Sequence, residues 1–188
     1  MPLFALIPAA GSGTRLAGER PKQYAALAGK PMLWHAVRAI CVPPVEHVFV
    51  VLAPQDRAFS RHDWSAFAGK LEPLYCGGGT RRDSVYNGLV AAMAAVDADD
   101  WMLVHDAARP CLPKKDLESL IRETEADEVG GILALPVAET VKAVAKDEAG
   151  AIEQMGLKPR LVAGSRENLK VTYAEDLAIA AAILARRR

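Results

Sequence analysis

The chain has 188 residues, of which 51% are hydrophobic and 24% charged, as in globular proteins large enough to bury one core. Basic and acidic residues balance at 23 each, which indicates neither a nucleic-acid partner nor a membrane surface. No apolar run approaches the length of a membrane span, and Met1-Pro2-Leu3 lacks the basic start of a signal peptide. Three cysteines without metal-ligand spacing favour reduced thiols, so we expect a cytoplasmic protein without a zinc site.

The first predicted strand leads into a loop of small residues. Residues 3–7 are an apolar run typical of a buried strand, and Pro8-Ala9-Ala10-Gly11-Ser12-Gly13-Thr14-Arg15 follows it. Small residues let the backbone approach a ligand, and consecutive N–H groups in such a turn cradle phosphate oxygens. Arg15 and Lys22 add positive charge where a polyphosphate would lie. We interpret this loop as a phosphate-binding loop.

Two other interpretations of the loop stay open. A dinucleotide fingerprint requires a third glycine, but Leu16 stands at that position. The glycines alone fit a plain strand-to-helix turn equally well, and it is the presence of Arg15 and Lys22 that favours phosphate binding.

The next stretch alternates predicted helices and strands. Apolar residues at helical spacing predict a helix over residues 32–40, and residues 48–52 predict a strand that is buried on both faces. A short helix is expected around Trp64 and Phe67. A short strand over residues 71–75 then leads to a second glycine-rich loop at Gly77-Gly78-Gly79. The following helix is expected to bury one apolar face, made of Val85, Leu89, Ala92, Met93 and Val96.

Charged residues follow the third strong strand, over residues 101–104. In open α/β sheets, ligands bind beyond the carboxyl ends of the strands, so His105-Asp106-Ala107-Ala108-Arg109-Pro110 is a candidate site. Asp106 is suited to a ribose hydroxyl or a magnesium ion, and Arg109 to a second phosphate. For His105 we favour a structural hydrogen bond over acid–base chemistry, because no nucleophile lies beside it in the sequence.

The remaining sequence continues the alternation. We predict a helix from Lys115, strands over residues 130–137, 161–162 and 168–172, and a buried apolar helix over residues 177–184. Thr172 and Glu175 fit a capping box for that last helix. Strands alternating with helices predict a three-layer αβα fold with a mostly parallel, Rossmann-like sheet, built as one domain over residues 1–188.

Several of these motifs, in order and over nearly the whole chain, resemble the 2-C-methyl-D-erythritol 4-phosphate cytidylyltransferases, a nucleotidyltransferase family. The phosphate-binding loop alone is shared by many nucleotidyltransferases, whereas Pro21-Lys22-Gln23-Tyr24 together with the run from His105 to Pro110 is much more specific. Further matches are Gly77-Gly78 with Asp83-Ser84-Val85, Gly131-Ile132-Leu133-Ala134 with Pro136-Val137, Thr140-Val141-Lys142, and Asn168-Leu169-Lys170-Val171-Thr172.

The resemblance implies a reaction and roles for individual residues. CTP and a sugar-alcohol phosphate, methylerythritol phosphate, would give the cytidine diphosphate sugar alcohol and pyrophosphate, with Mg²⁺ as cofactor. By resemblance Arg15 and Lys22 stabilise the reacting phosphorus, and Lys170 positions the attacking phosphate. The residues expected around the nucleotide are Ala9, Ala10, Gly11, Gly78, Ser84, Asp106 and Ala107. Arg109 and Thr140 would face the sugar alcohol across the interface of a homodimer.

The chain departs from the family pattern at two places. Gly79 stands where some members have an acidic residue, which weakens the case for cytosine over other bases. Thr140-Val141-Lys142 is followed almost at once by Asp147-Glu148-Ala149, where the family has several tens of further residues. That segment would contain an arm that crosses to the other subunit and an arginine that helps to position the sugar phosphate.

Two explanations of the missing arm are open: a true deletion, or an exposed arm that the sequence as given omits. The intact motifs elsewhere favour the second, because exposed arms are where disorder concentrates. It predicts a backbone break between Val144 and Asp147, wider than the ~3.8 Å between consecutive Cα atoms.

Two competing functions also stay open. One is another nucleotidyltransferase, acting on ribitol phosphate or a sugar phosphate. The other is a non-catalytic nucleotide-binding protein on the same scaffold, against which the presence of both Arg15 and Lys22 argues.

Overall fold

A computed structural model describes residues 2–11, 21–136 and 148–187. The chain forms two compact units, which we call unit 1 (Met1–Cys111 with Leu169–Arg188) and unit 2 (Leu112–Asn168). The backbone break expected between Val144 and Asp147 lies outside the described residues, and one domain over residues 1–188 stays a prediction.

Strands and helices alternate along the chain, as the sequence predicts. Their bounds in chain order are β1 (Leu3–Pro8), β2 (Ala26–Leu27), β3 (Lys30–Pro31), α1 (Met32–Ile40), β4 (Val45–Val51), β5 (Leu71–Leu74), α2 (Arg81–Ala92), β6 (Trp101–Val104), α3 (Lys114–Thr124), β7 (Gly131–Ala134), α4 (Glu148–Gln154), β8 (Arg160–Ala163) and α5 (Ala174–Ala185).

The centre of unit 1 is a parallel sheet with the strand order β5-β4-β1-β6. Ala5 of β1 lies opposite Val48 on one side and Leu103 on the other, and all three strand pairs are parallel. The chain builds outward from β1 through β4 to β5 and then returns to place β6 on the other side of β1. The strand order therefore reverses between β1 and β6, where open α/β sheets form a crevice at the carboxyl ends of their strands.

Helices cover both faces of this sheet. Phe4 and Leu6 pack in apolar clusters with Ala92 and Val85 of α2 on one face. Successive strand residues point to opposite faces, and the alternate residues Ala5 and Ile7 are also fully buried. The other face is thus covered as well, and α1 packs against β4. This mostly parallel sheet between helices confirms the predicted fold class.

Unit 2 contains a second, smaller parallel pair. Strands β7 and β8 pair in register from Gly131 with Arg160 to Ala134 with Ala163, and α3 packs against both. The predicted strand over residues 130–137 is shorter than expected, and the strand expected at residues 161–162 is present. Among the described residues of the whole chain, no helix is long and apolar enough to cross a membrane.

Two helices bury different faces from those predicted. In α2, which ends at Ala92, the buried residues are Ser84, Val85, Gly88 and Ala92, whereas Met93 is 68% exposed. Gly88 explains the difference, because its missing side chain lets the helix approach the sheet along that line. In α5, Ala180 and Ile183 are buried but Ile179 is 52% exposed, so the uniformly apolar composition wrongly predicted burial all round.

The short helix expected around Trp64 and Phe67 is present as a 3₁₀ turn, Ser65–Phe67, and a second such turn lies at Phe59–Arg61. Two other local predictions were wrong. Residues 168–172 form a connection without regular secondary structure rather than a strand, with the Val171 N–H donating to the carbonyl of Ala108. At the start of α5 it is Asp176, not Glu175, whose carboxylate accepts from the N–H groups before the helix.

Gly88→Ala is expected to destabilise unit 1 by about 1–2 kcal/mol. A Cβ at this position would overlap Val51 Cγ2 and lie 2.8 Å from Leu6 Cδ1, both in the core. Overpacking typically costs about 1–3 kcal/mol, which the gain in helix propensity of about 1 kcal/mol only partly offsets. Urea unfolding followed by tryptophan fluorescence measures this, since all three tryptophans lie in unit 1. Val90→Ala, on the exposed face of α2, is the control and should be within about 0.5 kcal/mol of wild type.

Candidate active site

A cavity of about 500 Å³ opens at the carboxyl ends of the central strands in unit 1. It lies where the strand order reverses, between the residues that follow β1 and those that follow β6. Most of the residues that the sequence predicts for the site therefore lie together at this cavity. The predicted residues that line the cavity are Ala9, Ala10, Gly11, Lys22, Gly78, Ser84, Asp106, Ala107 and Lys170.

Three other predicted site residues are not among those that line the cavity. Arg15 and Thr140 lie outside the described residues, so their positions stay predictions. Arg109 contacts the site through Asp106, with its Nε 3.5 Å from Asp106 Oδ2.

Two hydrogen bonds hold Ala9, in the described part of the phosphate-binding loop. The Ala9 N–H donates to the carbonyl of Val51, and the buried Gln23 side chain donates from Nε2 to the carbonyl of Ala9 at 2.7 Å. Gln23 belongs to a 3₁₀ turn, Lys22–Tyr24, that begins with Lys22. The hydrogen bond of Gln23 thus fixes the turn that carries Lys22 against the carboxyl end of β1.

The second glycine-rich loop forms the start of α2 at the edge of the cavity. Thr80 and Asp83 make a capping box, with Thr80 Oγ1 accepting from Asp83 N–H and Asp83 Oδ2 accepting from Thr80 N–H. Ser84 Oγ donates to the carbonyl of Thr80 and accepts from the Gly78 N–H at 3.1 Å. A Cβ on Gly78 would overlap Asp83, so only glycine fits this close turn.

Asp106 is the electrostatic centre of the cavity. Its Oδ1 accepts from Arg81 Nη2 at 2.9 Å and Nε at 3.0 Å, and its Oδ2 accepts from Lys170 Nζ at 2.9 Å. The Asp106 side chain is only 14% exposed, whereas the partner side chains are about 40% exposed, at 37% for Arg81 and 43% for Lys170. Cations from α2 and from the segment before α5 therefore meet on one carboxylate.

The pKa of Asp106 reflects this environment. Burial by itself would raise the pKa, but the hydrogen bond from Lys170 and the charge of Arg81 outweigh burial and hold it well below its usual range. Asp106 is therefore ionised at neutral pH.

His105 has a structural role, as the sequence favours. It is buried, and its Nε2–H donates to the carbonyl of Arg109 at 3.0 Å. Burial lowers the pKa of His105 to about 4, so the ring is neutral at physiological pH. The bond closes the turn that follows β6 and carries Asp106.

The sequence did not indicate the contact of Arg81 with Asp106, because this carboxylate lies 25 residues away in the sequence. In the sequence, Gln23 stands out only as a member of the motif Pro21-Lys22-Gln23-Tyr24. This motif was the one signal for the hydrogen bond from Gln23 to the carbonyl of Ala9.

The described residues set limits on metal binding. They contain no group of three or more side chains of the types that ligate metals. Within the described lining of the cavity, Asp106 supplies the one carboxylate. An all-protein metal cage is thus absent from the described part of the chain, whereas Mg²⁺ commonly uses one or two carboxylates together with substrate phosphates.

A parallel α/β sheet with a cation-lined cavity at the reversal of strand order defines the class of nucleotide-binding α/β proteins. A family model described as 2-C-methyl-D-erythritol 4-phosphate cytidylyltransferase matches residues 3–149 and 143–186. The chain therefore belongs to this cytidylyltransferase family.

Individual relatives agree over nearly their full length. The 2-C-methyl-D-erythritol 4-phosphate cytidylyltransferase of Nitrosospira multiformis is 47% identical over 96% of this chain and 97% of its own. That of Dechloromonas aromatica is 48% identical over 98% of both chains. A crystal structure of a 4-diphosphocytidyl-2C-methyl-D-erythritol synthase has a TM-score of 0.84 at 31% identity, covering 97% of this chain and 98% of that one.

The comparisons also locate the departure from the family pattern. The alignment with the Nitrosospira protein extends over 224 positions, whereas this chain has 188 residues, so at least 36 positions have no counterpart here. The family model matches in two segments that meet at residues 143–149. The missing positions thus fall after Thr140-Val141-Lys142, where the motif spacing is short.

The stability of unit 1 is expected to fall on acidification, because His105 binds a proton more readily in the unfolded state than in the folded state. With a folded pKa of about 4 against 6.5 for the unfolded group, the unfolded state binds more protons between these values. The contribution of His105 to stability is thus complete above about pH 6.5, falls as pH decreases, and levels off below about pH 4. At about pH 5 the loss is about 2 kcal/mol relative to about pH 7.5.

His105→Gln, whose amide can still donate to the carbonyl of Arg109, is the matched control for this prediction. Urea unfolding of both proteins at the two pH values isolates the contribution of the imidazole from that of other groups. An equal loss of stability in wild type and variant would contradict the assignment to His105.

Proposed function

We propose that the chain transfers CMP from CTP to 2-C-methyl-D-erythritol 4-phosphate, giving 4-diphosphocytidyl-2-C-methyl-D-erythritol and pyrophosphate in the non-mevalonate isoprenoid pathway. Family membership supports this, together with relatives that bear the name of this activity over nearly their whole length. The observation that carries it is the cluster of Arg81, Lys170 and Asp106 beside Lys22 in one cavity.

The reaction needs positioning and charge more than proton transfer. The phosphate of the sugar alcohol attacks the α-phosphorus of CTP in line, and an ionised phosphate requires no general base. Catalysis then depends on alignment and on stabilising the charge at the five-coordinate phosphorus. Lys22 and Arg15 are proposed for that stabilisation, and Lys170 for holding the attacking phosphate.

The remaining residues are proposed to bind the two substrates. Backbone groups of the two glycine-rich loops hold the nucleotide, and Asp106 with Ala107 lies at the ribose. Arg109 and Thr140 face the sugar alcohol. The residues proposed for the base and triphosphate are Ala9, Ala10, Gly11, Gly78 and Ser84. Because these residues have small side chains or none, most of the proposed contacts are made by backbone groups.

Asp106 prepares Lys170 for its role. The Nζ–Oδ2 distance of 2.9 Å keeps the ammonium group in the cavity before a substrate arrives. A flexible lysine side chain otherwise loses rotamer entropy when it binds a phosphate, of up to about 2 kcal/mol. Because the ion pair already orders Lys170 in the free protein, less rotamer entropy is lost when the acceptor phosphate binds.

We also propose Mg²⁺ as the cofactor. Asp106 fits a site that combines one carboxylate with the phosphates of CTP, as is usual for this ion. When bound, Mg²⁺ would neutralise charge on the phosphates. In the free protein Arg81 and Lys170 occupy both oxygens of Asp106, so Asp106 would bind Mg²⁺ only after one of these cations moves to a substrate phosphate.

Pyrophosphate release with CTP and Mg²⁺ tests the proposed function. The assay compares methylerythritol phosphate with ribitol phosphate as acceptors. Release with methylerythritol phosphate alone supports the proposal, and release with ribitol phosphate alone would assign a different acceptor. Binding of CTP without release from either acceptor would favour a nucleotide-binding protein without turnover.

Lys22→Ala is expected to lower kcat by about 10²–10³, the usual cost of removing one group that stabilises transition-state charge. The affinity for CTP, measured by calorimetry, should change much less, since other groups of the cavity bind the nucleotide. Lys30→Ala is the control, because Lys30 is exposed and pairs with Asp63 outside the cavity. An equal loss of affinity and turnover would assign Lys22 to ground-state binding.

A homodimer and a cytoplasmic location complete the proposal. Family resemblance supports the dimer, and the reduced thiols of Cys41, Cys76 and Cys111 are consistent with a reducing compartment. Sedimentation should give a species of about twice the chain mass of 20.2 kDa. A species of one chain mass would contradict the dimer.

A further inference from the structure

A second cavity lies beside the nucleotide cavity in unit 1 and has no role in the proposed reaction so far. Its volume is about 600 Å³, and it shares Ala10, Gly11 and Gln23 with the first cavity. Ala10 and Gly11 belong to the phosphate-binding loop, and Gln23 belongs to the 3₁₀ turn that begins with Lys22. The other wall of the second cavity is the segment after β4, residues 53–62.

Strand order brings this segment to the loop. β1 and β4 are parallel neighbours, so the residues that follow each strand leave the sheet at the same edge. The segment after β4 therefore runs beside the phosphate-binding loop.

The segment is held in one conformation by Asp56. Its Oδ1 accepts from the N–H groups of Ala58 at 2.7 Å and Phe59 at 3.0 Å, and its Oδ2 accepts from the Tyr24 hydroxyl at 2.7 Å. Burial, with the hydrogen bond to Asp56, raises the pKa of Tyr24, so this hydroxyl stays protonated and donates. Both oxygens of Asp56 are thus committed to the wall of the cavity.

Aromatic contacts fix the rest of the wall. The His62 ring stacks on Tyr24 with centroids 5.3 Å apart, and Phe59 stacks on Trp64 at 4.4 Å. Trp64 Nε1 also donates to the carbonyl of Phe59. Tyr24 lies in the same 3₁₀ turn as Lys22, so the second cavity is tied directly to a proposed catalytic residue.

The charges that line this wall favour an anion. Arg57, Arg61 and His62 line the cavity, and within the described part of the chain neither guanidinium forms an ion pair. The one carboxylate in the described lining belongs to Asp56, whose hydrogen bonds are made to the protein. Two arginine forks that line one cavity suit the several oxygens of a polyphosphate.

We propose that this second cavity receives the pyrophosphate product, held by Arg57 and Arg61. The proposal depends on the proposed function. As the acceptor oxygen forms its bond to the α-phosphorus, the bond from that phosphorus to the bridging oxygen of CTP breaks, and pyrophosphate leaves with the electron pair. The leaving group departs on the side opposite the acceptor. The cavity that adjoins the loop ends offers it two cations outside the nucleotide cavity.

Product inhibition tests this assignment. Arg57→Ala and Arg61→Ala should each raise the inhibition constant of pyrophosphate against CTP by about three- to fivefold, the effect of losing an exposed ion pair. The KM for CTP should stay within about twofold of wild type. Arg122→Ala is the control, because Arg122 is an exposed arginine of α3 in unit 2.

Two results would overturn the proposal. An unchanged inhibition constant in both variants would mean that the arginines do not contact pyrophosphate. Equal increases in the inhibition constant and in the KM for CTP would assign them to the bound triphosphate instead.

Calorimetry of pyrophosphate binding, without CTP or acceptor, separates this proposal from the proposed function. Weaker binding in the arginine variants than in Arg122→Ala supports an anion site even in a protein that shows no turnover. Normal turnover with unchanged pyrophosphate binding in the arginine variants would leave the cytidylyl transfer standing and remove the product site.

Discussion

The carboxylate of Asp106 is the constraint on which the rest of the site depends. It is largely buried, and burial opposes its ionisation. The chain keeps it charged by bringing Arg81 and Lys170 into contact with its two oxygens. These partners come from α2 and from the segment before α5, so one carboxylate fixes the relative positions of parts of the chain that are far apart in the sequence. Removing it would leave the cations close together without compensation.

The same pairing prepares the cavity for a highly charged ligand. Free arginines and lysines would repel one another, whereas Asp106 holds two of them within 3.0 Å of its oxygens. A triphosphate brings its own negative charge, so the cations then have more than one anion to stabilise. Charge placed in advance at a reacting phosphorus is the largest contribution that proteins make to this kind of chemistry. Under the proposed function, Asp106 would thus contribute to binding chiefly by keeping other side chains in place.

The sequence predicted those features that depend on local signals. Apolar runs located β1, β4 and β6, and the residues after β1 and β6 lie at the cavity because parallel strands end at one edge. The partnership of Arg81 with Asp106 was not predictable, since it depends on how α2 meets β6. The buried face of α2 was wrong for a related reason: apolar residues marked the face, but the space left by Gly88 decided which side approaches the sheet. For α5, composition could not say which residues face the core.

The segment that is missing relative to the family pattern lies in a different unit from the nucleotide cavity. Every described residue that lines the nucleotide cavity belongs to unit 1, whereas the interruption of the family pattern at residues 143–149 belongs to unit 2. The hydrogen bonds that hold the two glycine-rich loops, from Gln23 to Ala9 and from Gly78 to Ser84, also join residues of unit 1 only. A change in the length of unit 2 therefore removes none of these hydrogen bonds. The missing positions lie next to Thr140 in the sequence and not next to Lys22 or Asp106. Their absence therefore affects only what these positions contribute in relatives.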